Sequence, residues 1–384
     1  MKRIASSGAK PPAAFLSTIA LTLLGTILSL TPTNVGAQGC VASRGSGSTS
    51  CAMPGHMGDA MTTPSGWEAT VGYRWLNSDR HFIGDREQTQ RQAEGSQVIN
   101  DSHFTDIGIT YHINPRFSLS AALPFVINDR SQVVRSNDVA RTILGRFATQ
   151  SAGIGDVRLE ANAWILDPAT HMKGNINLGL GLLIPTGQKD ARDTFQVYSA
   201  AAHQVVAADR TVDQSIQPGG GGWGVILDLY AYQEILPRLN AYVNASYTIT
   251  PEEMNGVPTY RSNPFEAIMS VGDSYMGRAG FDYVLWPKHN LTLSLGGRID
   301  GVPVYDVIGG SNGFRRPGYS ISIEPGVSVS VNSWSFNLST PVAVYRNRET
   351  SVPDMQQQAA TGTPQHGDAA FTDFSVLFSV RKSF

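Results

Sequence analysis

Residues 67–75 read Trp67-Glu68-Ala69-Thr70-Val71-Gly72-Tyr73-Arg74-Trp75. Trp67, Ala69, Val71, Tyr73 and Trp75 fall on one side, and Glu68, Thr70, Gly72 and Arg74 on the other. A period of two marks an extended strand whose two faces meet different surroundings. The pattern recurs at 106–113, 117–125, 157–165, 176–184, 223–230, 239–249, 278–285, 291–300, 321–331, 334–339 and 374–384. That makes about twelve strands, many of ten residues or so, where soluble sheets favour five or six. About ten tilted residues cross a bilayer as a barrel strand.

The connections alternate between short and long. Segments 114–115, 167–173, 236–238, 287–289 and 332–333 are short, whereas 77–102, 127–151, 185–222, 250–272, 301–317 and 346–368 are long and polar. Outer-membrane barrels have this asymmetry, with short periplasmic turns and longer extracellular loops. The fold expected over 67–384 is therefore all-β: a transmembrane antiparallel β-barrel of about twelve strands, placed in the outer membrane. Its apolar parity faces lipid, and aromatic residues near strand ends should form interface girdles. Trp67, Trp75, Tyr111, Phe117, Phe125, Trp223, Tyr247, Tyr283, Trp334 and Phe384 sit where girdles are expected. A soluble sandwich leaves the long strands and the loop asymmetry unexplained.

Composition agrees. Only 16% of the 384 residues are charged, against about 25% in an average soluble domain. Thirty-nine are Gly, and the formal charge of -2 gives no footprint for nucleic acid. Lys2, Arg3 and Lys10 precede an uncharged stretch at 13–30, and Val35-Gly36-Ala37 offers a cleavage site, so 1–37 is expected to be a cleaved signal peptide. A membrane anchor is the rival reading. Losing three basic residues brings the formal charge to -5. Residues 38–66 are expected to form an N-terminal periplasmic or plug-like segment. Cys40 and Cys51 are candidates for a disulfide in an oxidising compartment. Met53, His56, Met57 and Met61 nearby keep soft-metal binding and a plain linker open beside it. No metal site and no cofactor is assigned.

The end of the chain, Phe374-Ser-Val-Leu-Phe-Ser-Val-Arg-Lys-Ser-Phe384, resembles the C-terminal signature of bacterial outer-membrane proteins. Phe374, Val376, Phe378, Val380 and Phe384 match that pattern, which implies recognition by the barrel-assembly machinery. Lys382 departs from it, a charge in the lipid-facing series that is tolerable if it snorkels to the interface. Three Gly-rich stretches, 153–160, 180–187 and 218–228, are similar to outer-membrane proteins grouped under the meta-pathway of phenol degradation. The resemblance implies passage of small compounds, aromatic ones among them.

On this register the inward set comprises Glu68, Arg74, Asp106, His112, Asp156, Arg158, Glu160, Asp228, Glu234, Arg278, Asp282, Arg298, Asp300, Glu324 and Arg381. Both signs occur. They can satisfy one another as a salt-bridged lumen, or set a field that orients solutes, and the two are compatible. Tyr230, Tyr232, Tyr242 and Trp164 also face inward. The first functional expectation is an outer-membrane channel for small solutes, with lipid, the assembly machinery and the solute as partners. Residues 38–66 and 185–222 could narrow it. A barrel acting through its extracellular loops is the alternative. A barrel hydrolase is weaker, because no nucleophile-elbow pattern accompanies His112 or His103.

Overall fold

The computed structural model describes residues 65–138 and 140–384. The expected signal peptide, Cys40, Cys51 and nearly all of 38–66 lie outside the described residues.

Fourteen strand segments make one antiparallel sheet. They are β1 (Gly66–Ser78), β2 (Ile99–His112), β3 (Phe117–Arg135), β4 (Ile143–Ile154), β5 (Val157–Trp164), β6 (Gly174–Ile184) and β7 (Gly224–Leu236). The second half supplies β8 (Leu239–Ile249), β9 (Ser274–Trp286), β10 (Leu291–Val302), β11 (Gly318–Val331), β12 (Trp334–Ser339), β13 (Val342–Arg348) and β14 (Ser375–Ser383). β4 and β5 are halves of one strand, since both pair with β3; β12 and β13 both pair with β11 in the same way. The second break falls at Thr340-Pro341, where proline has no N–H to give the ladder. The wall thus has twelve strands. It closes where β14 pairs with β1, from Glu68↔Ser383 to Leu76↔Ser375.

Parity decides what each residue meets. Along β1, Glu68 and Arg74 are buried while Trp67 and Val71 are exposed. Leu180, Leu295 and Ile107 are 61%, 58% and 55% exposed, far above what a water-facing sheet would tolerate in a continuous belt. Aromatic side chains gather at both rims. Trp67 and Tyr111 sit 4.7 Å apart near the short turns, and Trp75 and Phe374 5.7 Å apart near the long loops. Two such girdles around an apolar belt place this barrel in a membrane. Lys382 snorkels as expected: its ammonium bonds the Ser333 hydroxyl in the turn and lies 5.4 Å from the Trp334 ring.

The short turns fall where the sequence places them. Three close on a left-handed residue: Arg238 (φ 70°), Asn290 (φ 45°) and Asn332 (φ 57°). Asn adopts this conformation at little cost; Arg238 is an unusual occupant. The long connections differ from expectation in one place. Segment 127–151 is not a loop, because β3 and β4 continue as a paired ribbon from Phe125↔Ile154 to Arg135↔Ile143. Beyond the bilayer neither face needs to be apolar, so the alternation vanishes while the strand persists.

The other long connections fold on themselves. Residues 79–98 hold a small sheet with 369–371, and 185–223 carry a hairpin, Arg192–Ser199 with Gln204–Thr211. The last long connection holds a helix, α1 (Val352–Thr361), capped by reciprocal Ser351 and Asp354 bonds.

Leu180 pairs with Ala161 and Leu227 on the lipid face. Leu180→Arg is expected to cost about 2–4 kcal/mol near the midplane. Arg at Ser328, which faces inward, should cost less. Guanidinium unfolding of lipid-embedded protein checks both values.

Candidate functional site

The lumen wall is polar because alternate residues of every strand turn inward, away from lipid. Its charges meet in groups. At the short-turn end, Glu68 accepts from Arg381 at 3.4 Å and lies 3.9 Å from His112. Higher up, Glu324 of β11 draws Arg278 of β9 (3.4 Å) and Arg298 of β10 (3.6 Å), and the Ser339 hydroxyl donates to it at 2.7 Å. Arg298 also grips Asp300 at 2.7 Å, Arg278 donates to Asn244 at 3.0 Å, and Asn240 donates to Asp282 at 2.8 Å. Of these four arginine-to-acid contacts, Arg298–Asp300 stays on one strand, Arg381–Glu68 and Arg298–Glu324 join neighbouring strands, and Arg278 reaches past β10 to Glu324.

Four aromatic side chains form a layer toward the short-turn end. Trp164 lies 6.1 Å from Tyr230 and 5.9 Å from Tyr232, and Tyr242 packs with them. Gly280 and Gly296 make room, since a Cβ on either would collide with the Tyr242 hydroxyl. Gly181 likewise clears space for Glu160. The inward Gly of the sequence pattern is thus the space that large inward side chains need.

Above this layer is a pocket of about 90 Å³. Arg74, Asp106 and Arg158 line it from the wall, and the Arg74 guanidinium lies 4.3 Å over the Phe104 ring. Its roof comes from loops. Asp156, in the break between β4 and β5, accepts from the backbone N–H of Gly187 (3.0 Å) and of Gly220 (2.7 Å), tying both ends of segment 185–223 to the wall.

The middle of that segment turns into the barrel mouth. Val212, Asp213, Ile216 and Gln217 are at most 2% exposed. The short 3-10 turn Gln214–Ile216 is bolted to the wall on several sides. Asn128 donates to the Ile216 carbonyl at 3.0 Å, the Ser151 hydroxyl donates to the same carbonyl, and Ser215 donates to Asn100 at 3.2 Å. Asp213 carries the charge of the lock. Arg316 embraces it with two bonds of 2.8 and 2.9 Å, Arg130 and Arg261 stand at 3.4 and 3.6 Å, and the Tyr260 hydroxyl donates at 2.8 Å. Burial alone would raise this carboxyl; Arg130 and Arg316 overcome that and hold it well below the usual carboxylate range. The Tyr260 hydroxyl is pushed up by burial and by Asp213. The hairpin rests on an apolar cluster of its own, Ala191, Phe195, Val212 and Ile216, against Phe147 of β4.

The structure gathers most of these charged residues into the groups just described. Glu160 and Asp228 are buried in the wall. Two of them sit outside the regular strand series. Glu234 lies at the rim, 3.1 Å from the Lys173 ammonium beside a register shift in β7. Asp156, in the strand break, lines the chamber and clamps loop backbone there. His103 contacts Asp101 at 2.8 Å and the Tyr73 hydroxyl at 2.7 Å on the outer side of the wall. Among the described residues no group of three His, Cys, Asp or Glu could hold a metal ion. The Asp213 lock has no sequence signal: its arginines come from three distant segments, none joined to the others by spacing.

No family model matches the chain, and no curated protein is similar to it in sequence. Among solved structures it is similar to an outer membrane channel from Pseudomonas putida F1, at 12% identity and a TM-score of 0.50, covering 85% of this chain and 98% of that one. The beta domain of the Bordetella autotransporter BrkA (13% identity, TM-score 0.43, 84% and 100% covered) and the Pseudomonas putida toluene transporter TodX (12%, 0.41, 84% and 91%) are more distant in shape. The first likeness is one of fold, and with the lipid-facing belt it makes this chain an outer-membrane β-barrel.

Proposed function

We propose that this barrel passes small organic solutes across the outer membrane, through a polar lumen gated by the turn at 212–217. The observation that carries the reading is a chamber beside Arg74, Asp106 and Arg158, roofed by loops that ion pairs hold in place. A merely structural barrel has no need of a roof pinned by one carboxylate among three guanidiniums. The Trp164, Tyr230, Tyr232 and Tyr242 layer offers aromatic faces below the chamber. That favours aromatic solutes, as does the resemblance to phenol meta-pathway outer-membrane proteins. The two stacked fields of the wall, Arg278 and Arg298 with Glu324 on one side and Arg74 with Asp106 on another, would orient a polar group on the solute. Residues 38–66 are retained as a second obstruction from the periplasmic side, and the pattern ending in Phe384 as the mark read by the assembly machinery. The folded hairpin over 192–211, with its own apolar core, keeps the alternative of a loop-mediated binding role in play.

Solute uptake into liposomes holding the purified full chain tests the channel, with phenol and glucose as probes. Phenol flux above that of empty liposomes is expected, and glucose should lag. No flux of either, with or without residues 38–66, sinks the reading. Deleting 186–222 separates the alternatives, since flux should rise while any binding carried by the loops disappears.

Asp213→Asn leaves three guanidiniums without their anion. Breaking a buried pair from one side costs about 3–5 kcal/mol, enough to free the turn. Faster phenol flux and protease cleavage within 200–217 are expected. The wild-type lock should also respond to pH in one direction. A carboxyl whose folded pKa is depressed contributes fully above its unfolded value of about 4. Flux should therefore stay flat from neutral to mildly acid pH and rise only as pH falls through the depressed folded value.

A further inference from the structure

Beside the lock, on the long-loop side, is a second cavity of about 210 Å³. That is room for roughly seven waters at about 30 Å³ each, or one small organic molecule. It is separate from the chamber below the turn, and the passage reading does not use it. Its wall is divided by chemistry. One part is cationic, with Arg91, Arg130, Arg261 and Arg316 all contributing. The other is apolar, with Val98, Ala369, Ala370 and the Tyr260 ring, and the Asp368 carboxylate lies between them, taken up by Arg91 and His81.

The carboxylates facing these guanidiniums do not match them in number. Asp213 is shared by Arg130, Arg261 and Arg316. Asp368 takes Arg91 and the His81 ring, and Glu266 reaches Arg261 from one side at 3.5 Å. A positive surplus is left at a partly enclosed surface, where it attracts anions more strongly than it would in open water. Two donors are also idle. The Nε of Arg130 and that of Arg261 are buried and find no acceptor among the described residues. Buried donors are normally satisfied, so this one place carries two exceptions. Arg261 is held flat for recognition, because its guanidinium lies 3.8 Å from the Phe314 ring centre. Arg261 and Arg91 remain reachable, with side chains 27% and 33% exposed.

We infer that this cavity is a binding site for a small organic carboxylate, taken up at the mouth before passage. The carboxylate would sit against Arg261 and Arg91, and its apolar part against Val98, Ala369 and Tyr260. An inorganic oxyanion would use only half of the wall, and an uncharged aromatic only the other half.

The probe is benzoate, titrated calorimetrically into the full chain in non-ionic detergent at low salt, beside benzyl alcohol and inorganic phosphate. Benzoate should bind at least tenfold tighter than either, and added salt should weaken it. Arg261→Gln and Arg91→Gln should each lower benzoate affinity about tenfold, the loss of one charge-assisted contact. Arg135→Gln, outside this cavity, should leave it unchanged, and heat-modifiable migration confirms each barrel is folded. Equal binding of benzoate and benzyl alcohol overturns the assignment. So does phosphate binding as tight as benzoate, or affinity unchanged in both arginine variants. The measurement needs no conduction: a barrel that binds benzoate but passes no solute would fail the channel reading alone.

Discussion

Everything in this molecule follows from the absence of water in the hydrocarbon layer. A backbone N–H or C=O left unpaired there costs several kcal/mol, so the wall can have no edge. Twelve strands satisfy this by pairing in a ring, and the ring turns one residue in two outward. The outward residues must be apolar and the inward ones must not crowd, which fixes two choices at every position of the wall. Leu180 and Gly181 are neighbours in sequence and answer opposite demands: one meets lipid, the other leaves space for Glu160.

Within the ring the problem is reversed. The lumen is narrow, and groups that would be solvated on a surface must find one another. Glu324 between Arg278 and Arg298 is the solution in the wall, and Asp213 among Arg130, Arg261 and Arg316 is the solution at the mouth. They differ in what they hold. Glu324 joins strands that β10 already holds in one sheet, so it adds little to the architecture. Asp213 joins a turn that no ladder fixes, so the position of the roof depends on it.

The barrel was legible because parity is a local property. Residues 67–75 already contain the two faces, and every later strand repeats them. The same cue fails above the membrane, where β3 and β4 run on as a paired ribbon with polar residues on both sides. It fails again at the mouth. Arg130, Arg261, Arg316 and Asp213 belong to four separate segments, and only the folding of the loops brings them together. Phase alone does not reveal the strand break that holds Asp156 or the register shift beside Glu234, which take both out of the regular series.

The seam between β1 and β14 joins the two ends of the described sheet, and the Phe384 N–H donates to the Trp67 carbonyl at 2.9 Å. Every other neighbouring pair in the ring follows in chain order, joined by a turn or a loop. This one cannot form until β14 is present. Until then the sheet has two open edges, each able to pair with a strand of another molecule. The ring therefore has no stable smaller version: a chain lacking its last strand is not a narrower pore but an open sheet with its lipid face and both edges exposed. Loop-closure entropy is spent in one final step, so completion of the wall is a single late event on which solubility in the bilayer, the lumen and the roof all wait.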